Sequence, residues 1–221
     1  MTNHRFRRIV TVLNQRQPDL TVVTDGVHKG QNLSAILRTC DANGLMCLHS
    51  VYDAETFRAH RGTTMGTHKW VDTSVYRHIS EPLKLLQNDN YQIVAADLSE
   101  TAVDYRQIDF TRPTALVLGA ERLGVSDDAN SYIDQCISIP MLGMVESYNV
   151  SVACAIILAE ARRQREEAGF YLHRKLSDET FERLLLRWAQ PLVARYCDKH
   201  NLPYPKLDEN GDITDQNWRQ G

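Results

Sequence analysis

Residues 139–158 read IPMLGMVESYNVSVACAIIL, and this stretch decides how the second half of the chain is built. It begins in an apolar strand-like segment, contains a glycine at Gly143, and ends in an apolar run that continues to Ala159. Ser147 and Asn149 stand directly before that run. Side chains of this kind either cap the first turn of a helix or belong to an active site at the end of a strand. The pattern alone leaves both interpretations open.

Strand-like and helix-like segments alternate through the rest of the chain. Helical spacing predicts a helix over residues 32–44, whose first residue Asn32 is a candidate cap, and another over 80–90, capped by Ser80. A short helical segment is expected over 126–134. Apolar, β-branched segments predict strands at 19–27, 45–52, 67–77, 91–98, 114–121 and 136–142. The alternation predicts an α/β fold with a mostly parallel sheet flanked by helices on both faces.

Three loops follow strands at the edge where parallel sheets bind ligands. They are HKGQNLSAILR at residues 28–38, LGAERLG at 118–124, and MLGMVESYN at 141–149. The second loop lacks the GK[ST] ending of a phosphate loop, and no GxGxxG motif occurs in the chain. An ordinary nucleotide-binding fingerprint is therefore absent, although glycine-bearing loops stand at several strand ends.

The two ends of the chain differ from the middle. The pattern predicts a basic amphipathic helix over 1–18 and an amphipathic helix over 177–197 that Pro191 kinks or divides. We therefore expect three parts: an N-terminal basic helical extension (1–18), a core (19–160), and a C-terminal helical extension with a tail (161–221). The net charge of −3 conceals basic ends around an acidic stretch at 91–135, and a polyanion responds to the local charge.

The remaining composition excludes several classes of protein. The five cysteines form no CxxC pair, which indicates reduced core residues in a cytoplasmic protein and argues against a structural zinc site. The longest apolar run, at 150–159, is too short to span a membrane, which takes about 20 residues. The N-terminus has no apolar region of the kind found in secretory signals.

Three segments, NLSAILRTCDANG, LVLGAERLGVS and the stretch quoted first, resemble the ordered motifs of the SpoU/TrmH family of RNA 2′-O-methyltransferases, within the SPOUT superfamily. The likeness extends over roughly residues 1–171. It implies a trefoil knot in the C-terminal half of the core, a homodimer, and S-adenosylmethionine bound by the knot loops without a metal. It also implies methylation of the ribose 2′-hydroxyl of guanosine 18 in the D-loop of tRNA. Ribosomal RNA or another tRNA position is the alternative target, and a non-catalytic RNA-binding protein is the alternative class.

The resemblance assigns roles to individual residues. Arg38 would contact the target ribose and its phosphate, and it would act as a base only where the site perturbs a guanidinium whose pKa lies above about 12. Asn32, Glu121, Ser147 and Asn149 would align it with the ribose. Each of these side chains equally fits a helix cap or an exposed surface position.

The same resemblance implies which residues bind the methyl donor and which contact the RNA. The donor positions are Ala96, Leu118, Gly119, Ile139, Met144 and Tyr148. The RNA backbone positions are Arg5, Arg7, Arg8, Arg162, Arg163 and Arg165, although each of these arginines also fits a solvated helix face. The sequence departs from the family pattern at Gln31, Ala96 and Glu146, and the last of these adds negative charge beside a site for a polyanion.

Overall fold

The computed structural model describes residues 1–52, 69–121, 123–215 and 217–220, so the first two residues of the strand expected at 67–77 lie outside the described part. The chain forms two compact units. The central unit comprises residues 17–169. The terminal unit joins the two ends of the chain, residues 1–16 and 170–221.

A seven-stranded sheet forms the centre of the central unit. In chain order its elements are β1 (Leu20–Asp25), α2 (Gly30–Ala42), β2 (Cys47–Val51), β3 (Asp72–Tyr76), α3 (Ser80–Asn88), β4 (Gln92–Ala96), β5 (Val103–Asp104), β6 (Thr114–Leu118), β7 (Gln135–Ser138) and α4 (Val150–Glu167). The strand order is β3-β2-β1-β6-β4-β7-β5, and every pairing is parallel. The predicted parallel α/β sheet is therefore confirmed. The pattern missed β5, which has only two residues.

Helices cover both faces of this sheet. On one face α2 and α4 bury their apolar sides together with Val22, Val94 and Leu116 of the strands. On the other face α3 packs with Val23 and Val117. Because β1 and β6 are central and covered on both sides, all eleven of their residues are buried. This explains why β6 is apolar without a break from Ala115 to Leu118 and shows no alternating pattern.

The helix starts are partly as expected. Asn149 is the N-cap of α4, and its side chain accepts a hydrogen bond from Ser151 N at 2.9 Å, so the capping interpretation is confirmed. Asn32 is not a cap, because α2 begins two residues earlier at Gly30. Ser80 is not a cap either. The Glu81 carboxylate, in the first turn of α3, accepts hydrogen bonds from the backbone amides of Arg77 and His78, which precede the helix. This resembles the reciprocal bond of a capping box.

The terminal unit contains α1 (Asn3–Asn14), α5 (Asp178–Ala189) and α6 (Pro191–His200). The apolar side of α1 is buried at Phe6, Ile9 and Leu13, and α1 packs on α5. Pro191 occupies the first position of α6, so it divides the two helices as predicted. The central unit extends to Gly169 rather than to residue 160, because α4 continues without a break to Glu167. Within the described residues, no helix is long and apolar enough to cross a membrane.

Candidate active site

A cavity of about 590 Å³ lies at the carboxyl edge of the sheet. It opens where three neighbouring strands end, at Ala96 of β4, Leu118 of β6 and Ser138 of β7. The segments that follow β6 and β7 form the rest of its wall, together with the first turn of α4. Its size falls in the range of about 300–1,000 Å³ that is typical of small-molecule sites.

Three side chains from the three sequence motifs meet beside this cavity. The Glu121 Oε1 atom accepts hydrogen bonds from Asn32 Nδ2 at 2.8 Å and from Asn149 Nδ2 at 3.0 Å. Asn149 Nδ2 also lies 3.2 Å from Asn32 Oδ1. Segments that are more than 25 residues apart in sequence are thereby joined through one carboxylate.

Lys29 completes this network, because its ammonium group pairs with the other oxygen of Glu121. The hydrogen bonds from Lys29 and Asn32 hold the pKa of the Glu121 carboxyl below its usual range. The carboxylate is therefore charged at neutral pH and works as a fixed acceptor. Asn32 is nearly buried, at 8% exposure, so its amide is held in one orientation by packing as well as by hydrogen bonds.

The loop after β6 is closed by its own backbone. Ala120 N donates to Gly124 O at 3.0 Å, and Gly124 N donates to Ala120 O at 2.9 Å. A Cβ atom on Gly119 would lie 2.1 Å from the carbonyl carbon of Gly124, so only glycine fits there. Gly124 has a φ of +69°, which also favours glycine. These two glycines allow the wall of the cavity to be a tight backbone turn.

The lining of the cavity combines apolar walls with carboxylates. Leu118, Ile137 and Ile139 provide apolar surface, and Asp97, Glu121 and Glu146 provide negative charge. Among the described residues that line the cavity, none is a lysine or arginine. Such a cavity suits a ligand with an apolar part and a positive charge. No cluster of three or more metal-ligating side chains was found in the part of the chain that the structure describes.

Comparison with known proteins shows the family of the chain. Residues 19–159 match the model of the SpoU rRNA Methylase family, and residues 163–216 match the model for the C-terminal part of SpoU rRNA methylases. The chain belongs to the SpoU rRNA Methylase family.

Relatives of the same family cover nearly the whole chain. It is 42% identical over 221 residues to the tRNA (guanosine(18)-2′-O)-methyltransferase of Escherichia coli strain K12. This alignment covers 99% of this chain and 96% of that protein. A crystal structure of the A. aeolicus TrmH/SpoU tRNA modifying enzyme aligns with a TM-score of 0.79 at 44% identity, over 86% of this chain and 97% of that chain. The SpoU methyltransferase AviRb from Streptomyces viridochromogenes, solved with the cofactor AdoMet, aligns with a TM-score of 0.60 at 27% identity, over 70% and 61% of the two chains.

The structure brings most of the residues assigned to the donor together. Ala96, Leu118, Gly119, Ile139 and Tyr148 all line the cavity of this SpoU family member, as do Ser147 and Asn149. Met144 does not line it, and its side chain is 99% exposed. Every residue of the loop at 142–148 is exposed, and Glu146, Ser147 and Tyr148 line the cavity whereas Met144 does not.

Arg38 lies apart from this cavity. It is exposed on α2, six residues after Asn32, and it is not among the residues that line the cavity. Six residues along an α-helix correspond to a rise of about 9 Å and to a different side of the helix. Within one copy of the chain, the described site therefore consists of the Asn32, Glu121 and Asn149 network without Arg38.

Of the six arginines assigned to RNA, five are exposed and one is buried. Arg5, Arg7 and Arg8 are exposed on α1, and Arg162 and Arg163 are exposed on α4. The assignment of Arg165 is wrong, because its side chain is fully buried. Its guanidinium donates to the Phe110 carbonyl at 2.8 Å and to Asp19 Oδ1 at 2.5 Å, and also to Gln17 and the Arg112 carbonyl. It ties α4 to the start of β1 and to the turn before β6.

Sequence reasoning missed two residues of the site. Lys29 carries the positive charge of the network, and its position directly before the Asn32 motif, at the start of a helix after β1, was the available signal. Asp97 lines the cavity as the first residue after β4, and its place at a strand end was the corresponding signal. Glu146, which departs from the family pattern, also lines the cavity.

Proposed function

We propose that this chain methylates the ribose 2′-hydroxyl of guanosine 18 in the D-loop of tRNA, with S-adenosylmethionine as the methyl donor. The observation that carries the proposal is the meeting of Asn32, Glu121 and Asn149 in one hydrogen-bonded network at the edge of a donor-sized cavity. The near-complete overlap with a tRNA guanosine-18 methyltransferase favours tRNA over ribosomal RNA. The protein that was solved with AdoMet supports the identity of the donor.

The cavity fits this donor on chemical grounds. Its apolar walls suit an adenosine, and the carboxylates of Asp97 and Glu146 suit the ammonium and sulfonium charges of a molecule whose net charge is positive. When bound, S-adenosylmethionine would supply an activated methyl group on a sulfonium sulfur. Its transfer to the ribose 2′-oxygen would leave the thioether S-adenosylhomocysteine and pass the hydroxyl proton to solvent. The tight turn at Gly119 and Gly124 gives this donor site a rigid backbone wall.

The contribution of the chain is positioning. Glu121 is held by Lys29, Asn32 and Asn149 before any ligand arrives, so little side-chain freedom has to be lost on binding. Asn149, the N-cap of α4, is engaged by Asn32, Glu121 and Ser151, and the exposed Ser147 that precedes it lines the cavity, where its hydroxyl would face the ribose beside the donor. Correct orientation of two reactants can supply roughly 7–11 kcal/mol of the barrier reduction.

We further propose a homodimer in which Arg38 serves the site of a second copy. Arg38 is exposed and does not line the cavity of its own chain. The apolar side chains of Leu142, Met144 and Val145 are also exposed beside that cavity, and exposed apolar surface of this kind marks an interface. In the dimer, the Arg38 guanidinium would contact the ribose phosphate and the reacting 2′-oxygen and stabilise its negative charge.

We also propose the trefoil knot that the family resemblance implies. The strand order supports it, because β6 lies between β1 and β4, and β7 lies between β4 and β5. Each of these late strands enters the sheet between two strands that precede it in the chain. The loops after β6 and β7, which line the cavity, are the segments that the knot would bring together.

The experiment that tests the activity follows a labelled methyl group from S-adenosylmethionine into an unmodified tRNA transcript. We expect the label at the 2′-oxygen of guanosine 18, mapped by primer extension, and none in a transcript in which that guanosine is replaced by adenosine. Transfer to ribosomal RNA with none to tRNA would overturn the proposal. Binding of tRNA without transfer to any RNA would instead support the non-catalytic class.

Substitution of Arg38 tests its role. Arg38→Ala should lower the turnover of methyl transfer by at least about a hundredfold, because a positioned charged donor is worth roughly 2.7–4 kcal/mol in sites of this kind. The affinity for S-adenosylmethionine, measured by calorimetry, should stay unchanged because Arg38 does not line the cavity. Mixing Arg38→Ala with Asn149→Ala should restore part of the activity if each copy completes the other's site. A fully active Arg38→Ala variant would remove Arg38 from the reaction.

A further inference from the structure

The terminal unit carries an exposed cluster of aromatic and basic side chains that the proposed methyl transfer does not use. Tyr196 and His200, one turn apart on α6, have ring centroids 4.4 Å apart. Trp218, in a short 3-10 helix at residues 218–220, meets Tyr196 edge-on at 5.5 Å. The Arg219 guanidinium lies 5.2 Å from the Trp218 ring and 5.9 Å from the Tyr196 ring. We call these four residues the Tyr196 cluster.

The Tyr196 cluster is open to solvent. Tyr196 is 39% exposed, and His200 and Arg219 are also exposed. A cleft of about 510 Å³ borders Trp218, with Lys206 on its wall. This cleft is large enough for a nucleotide-sized group within the usual range of about 300–1,000 Å³. The rings therefore dock the C-terminal segment on α6 and still leave aromatic surface beside an accessible cleft.

The net charge of the terminal unit as a whole favours a polyanion. The terminal unit contains twelve lysines and arginines against eight aspartates and glutamates, whereas the central unit contains thirteen against twenty. The positive charge of a net acidic chain is thus concentrated in the unit that bears the Tyr196 cluster. Two carboxylates lie near the cluster, of which Asp215 lines the cleft, and each accepts a hydrogen bond from a neutral donor. Asp198 accepts from the Tyr204 hydroxyl at 2.6 Å, and Asp215 accepts from Asn217 N at 2.8 Å.

We propose that the Tyr196 cluster binds an unpaired nucleotide of the RNA substrate, with the base stacked on the aromatic rings and the adjoining phosphates on the basic side chains. Aromatic rings interleaved with cations are the usual platform for unpaired RNA, because every base offers a flat face to stack. Arg219 contributes in two ways, since a guanidinium stacks on a ring and also pairs with phosphate. This inference rests on RNA being the substrate, and it adds a contact outside the donor cavity.

Two probes test the proposal on the full-length protein: a fluorescein-labelled decauridylate, which is single-stranded, and a fluorescein-labelled, fully paired RNA hairpin. Tyr196→Ala should weaken decauridylate binding by about tenfold or more, because one base–aromatic stack accounts for that range. It should change hairpin binding little. Tyr196→Phe keeps the stacking surface and should bind decauridylate within about twofold of the wild type. Decauridylate should also quench tryptophan emission in the wild type and not in Trp218→Phe.

Further measurements separate this proposal from the proposed function and from loss of fold. Tyr196→Ala should raise the KM for the tRNA transcript and leave kcat unchanged, and thermal unfolding should confirm that the variant is folded. If the wild type transfers no methyl group, the proposed function fails, but the decauridylate comparison still decides the present proposal. Equal binding of decauridylate by Tyr196→Ala and wild type would overturn it and would indicate a packing role or a protein partner. If Tyr196→Ala weakened the binding of decauridylate and of the paired hairpin equally, the proposed stacking of an unpaired base would also be overturned.

Discussion

At the scale of single residues, Glu121 is the centre of the site because it is the one carboxylate among the described residues that accepts hydrogen bonds from two of the three sequence motifs. Its neighbours on the network are donors, so the charged form of the carboxylate is favoured over the neutral form. The strength of the network therefore depends on the ionisation of the Glu121 carboxyl group. Loss of the charge would leave Lys29 without its partner and would weaken the hold on both asparagines.

This argument predicts a pH dependence. The folded-state pKa of Glu121 lies below its ordinary value of 4.5, so the stabilisation it provides is present above that value and is lost as the pH falls through the lowered pKa. Glu121→Gln cannot ionise. We expect its melting temperature to be below that of the wild type at neutral pH, and the difference to shrink as the pH is lowered below 4.5. A difference that stays constant over this range would show that the charge of Glu121 does not contribute.

Gly119 gives a second prediction at the same scale. In Gly119→Ala the added Cβ atom would lie 2.1 Å from the Gly124 carbonyl carbon, so the turn that closes the cavity wall would have to move. We expect the affinity for S-adenosylmethionine, measured by calorimetry, to fall at least about tenfold, which corresponds to about 1.4 kcal/mol. Gly143→Ala is the matched control, because its Cβ atom would meet nothing within 4 Å. Equal affinities for the two variants would mean that the turn is not part of the donor site.

At the scale of elements, α4 shows why Arg165 was misassigned from the sequence. The stretch EARRQREEAG reads as a solvated basic face, and nothing in its composition separates Arg165 from Arg162 or Arg163. Helical periodicity does separate them. The buried stripe of α4 passes through Cys154, Leu158 and Ala161, and Arg165 continues it at the next interval. The helical spacing therefore indicated that Arg165 is buried, although its charge suggested an exposed position.

A pair of substitutions on α4 tests this correction. Arg165→Met should destabilise the protein by about 3–5 kcal/mol, because it leaves the half-buried Asp19 carboxylate, the Phe110 and Arg112 carbonyls and Gln17 without their donor. Arg163→Met is the matched control, since Arg163 is exposed and pairs with Glu160 and Glu167 on the surface, where a pair contributes about 0–1 kcal/mol. Urea unfolding measures both. Similar stabilities of the two variants would contradict the structural role of Arg165.

At the scale of the whole molecule, the sequence predicted the sheet well and the terminal unit only in part. Strands such as β1 and β6 are local features, and their order of alternation with helices already indicates parallel pairing. The joining of residues 1–16 to residues 170–221 is different in kind. The amphipathic pattern of α1 shows that Phe6, Ile9 and Leu13 are buried, but it does not say which helix covers them. That partner, α5, lies more than 160 residues away in the chain.

The opposite charges of the two units lead to the last prediction. Arg5, Arg7 and Arg8 are exposed on α1 in the unit that carries the excess of positive charge, and we propose that they contact tRNA phosphates. Each phosphate contact contributes about 0.7–0.9 to the slope of log affinity against log salt concentration. Replacing all three by glutamine should therefore weaken tRNA binding at low salt and reduce that slope by roughly two to three. Lys84→Gln, at an exposed position of α3 in the acidic central unit, should leave the slope unchanged. An unchanged slope in the triple variant would place the tRNA elsewhere. A reduction by Lys84→Gln of about one third of that in the triple variant, in proportion to the charge removed, would show a response to net charge rather than to contacts on α1.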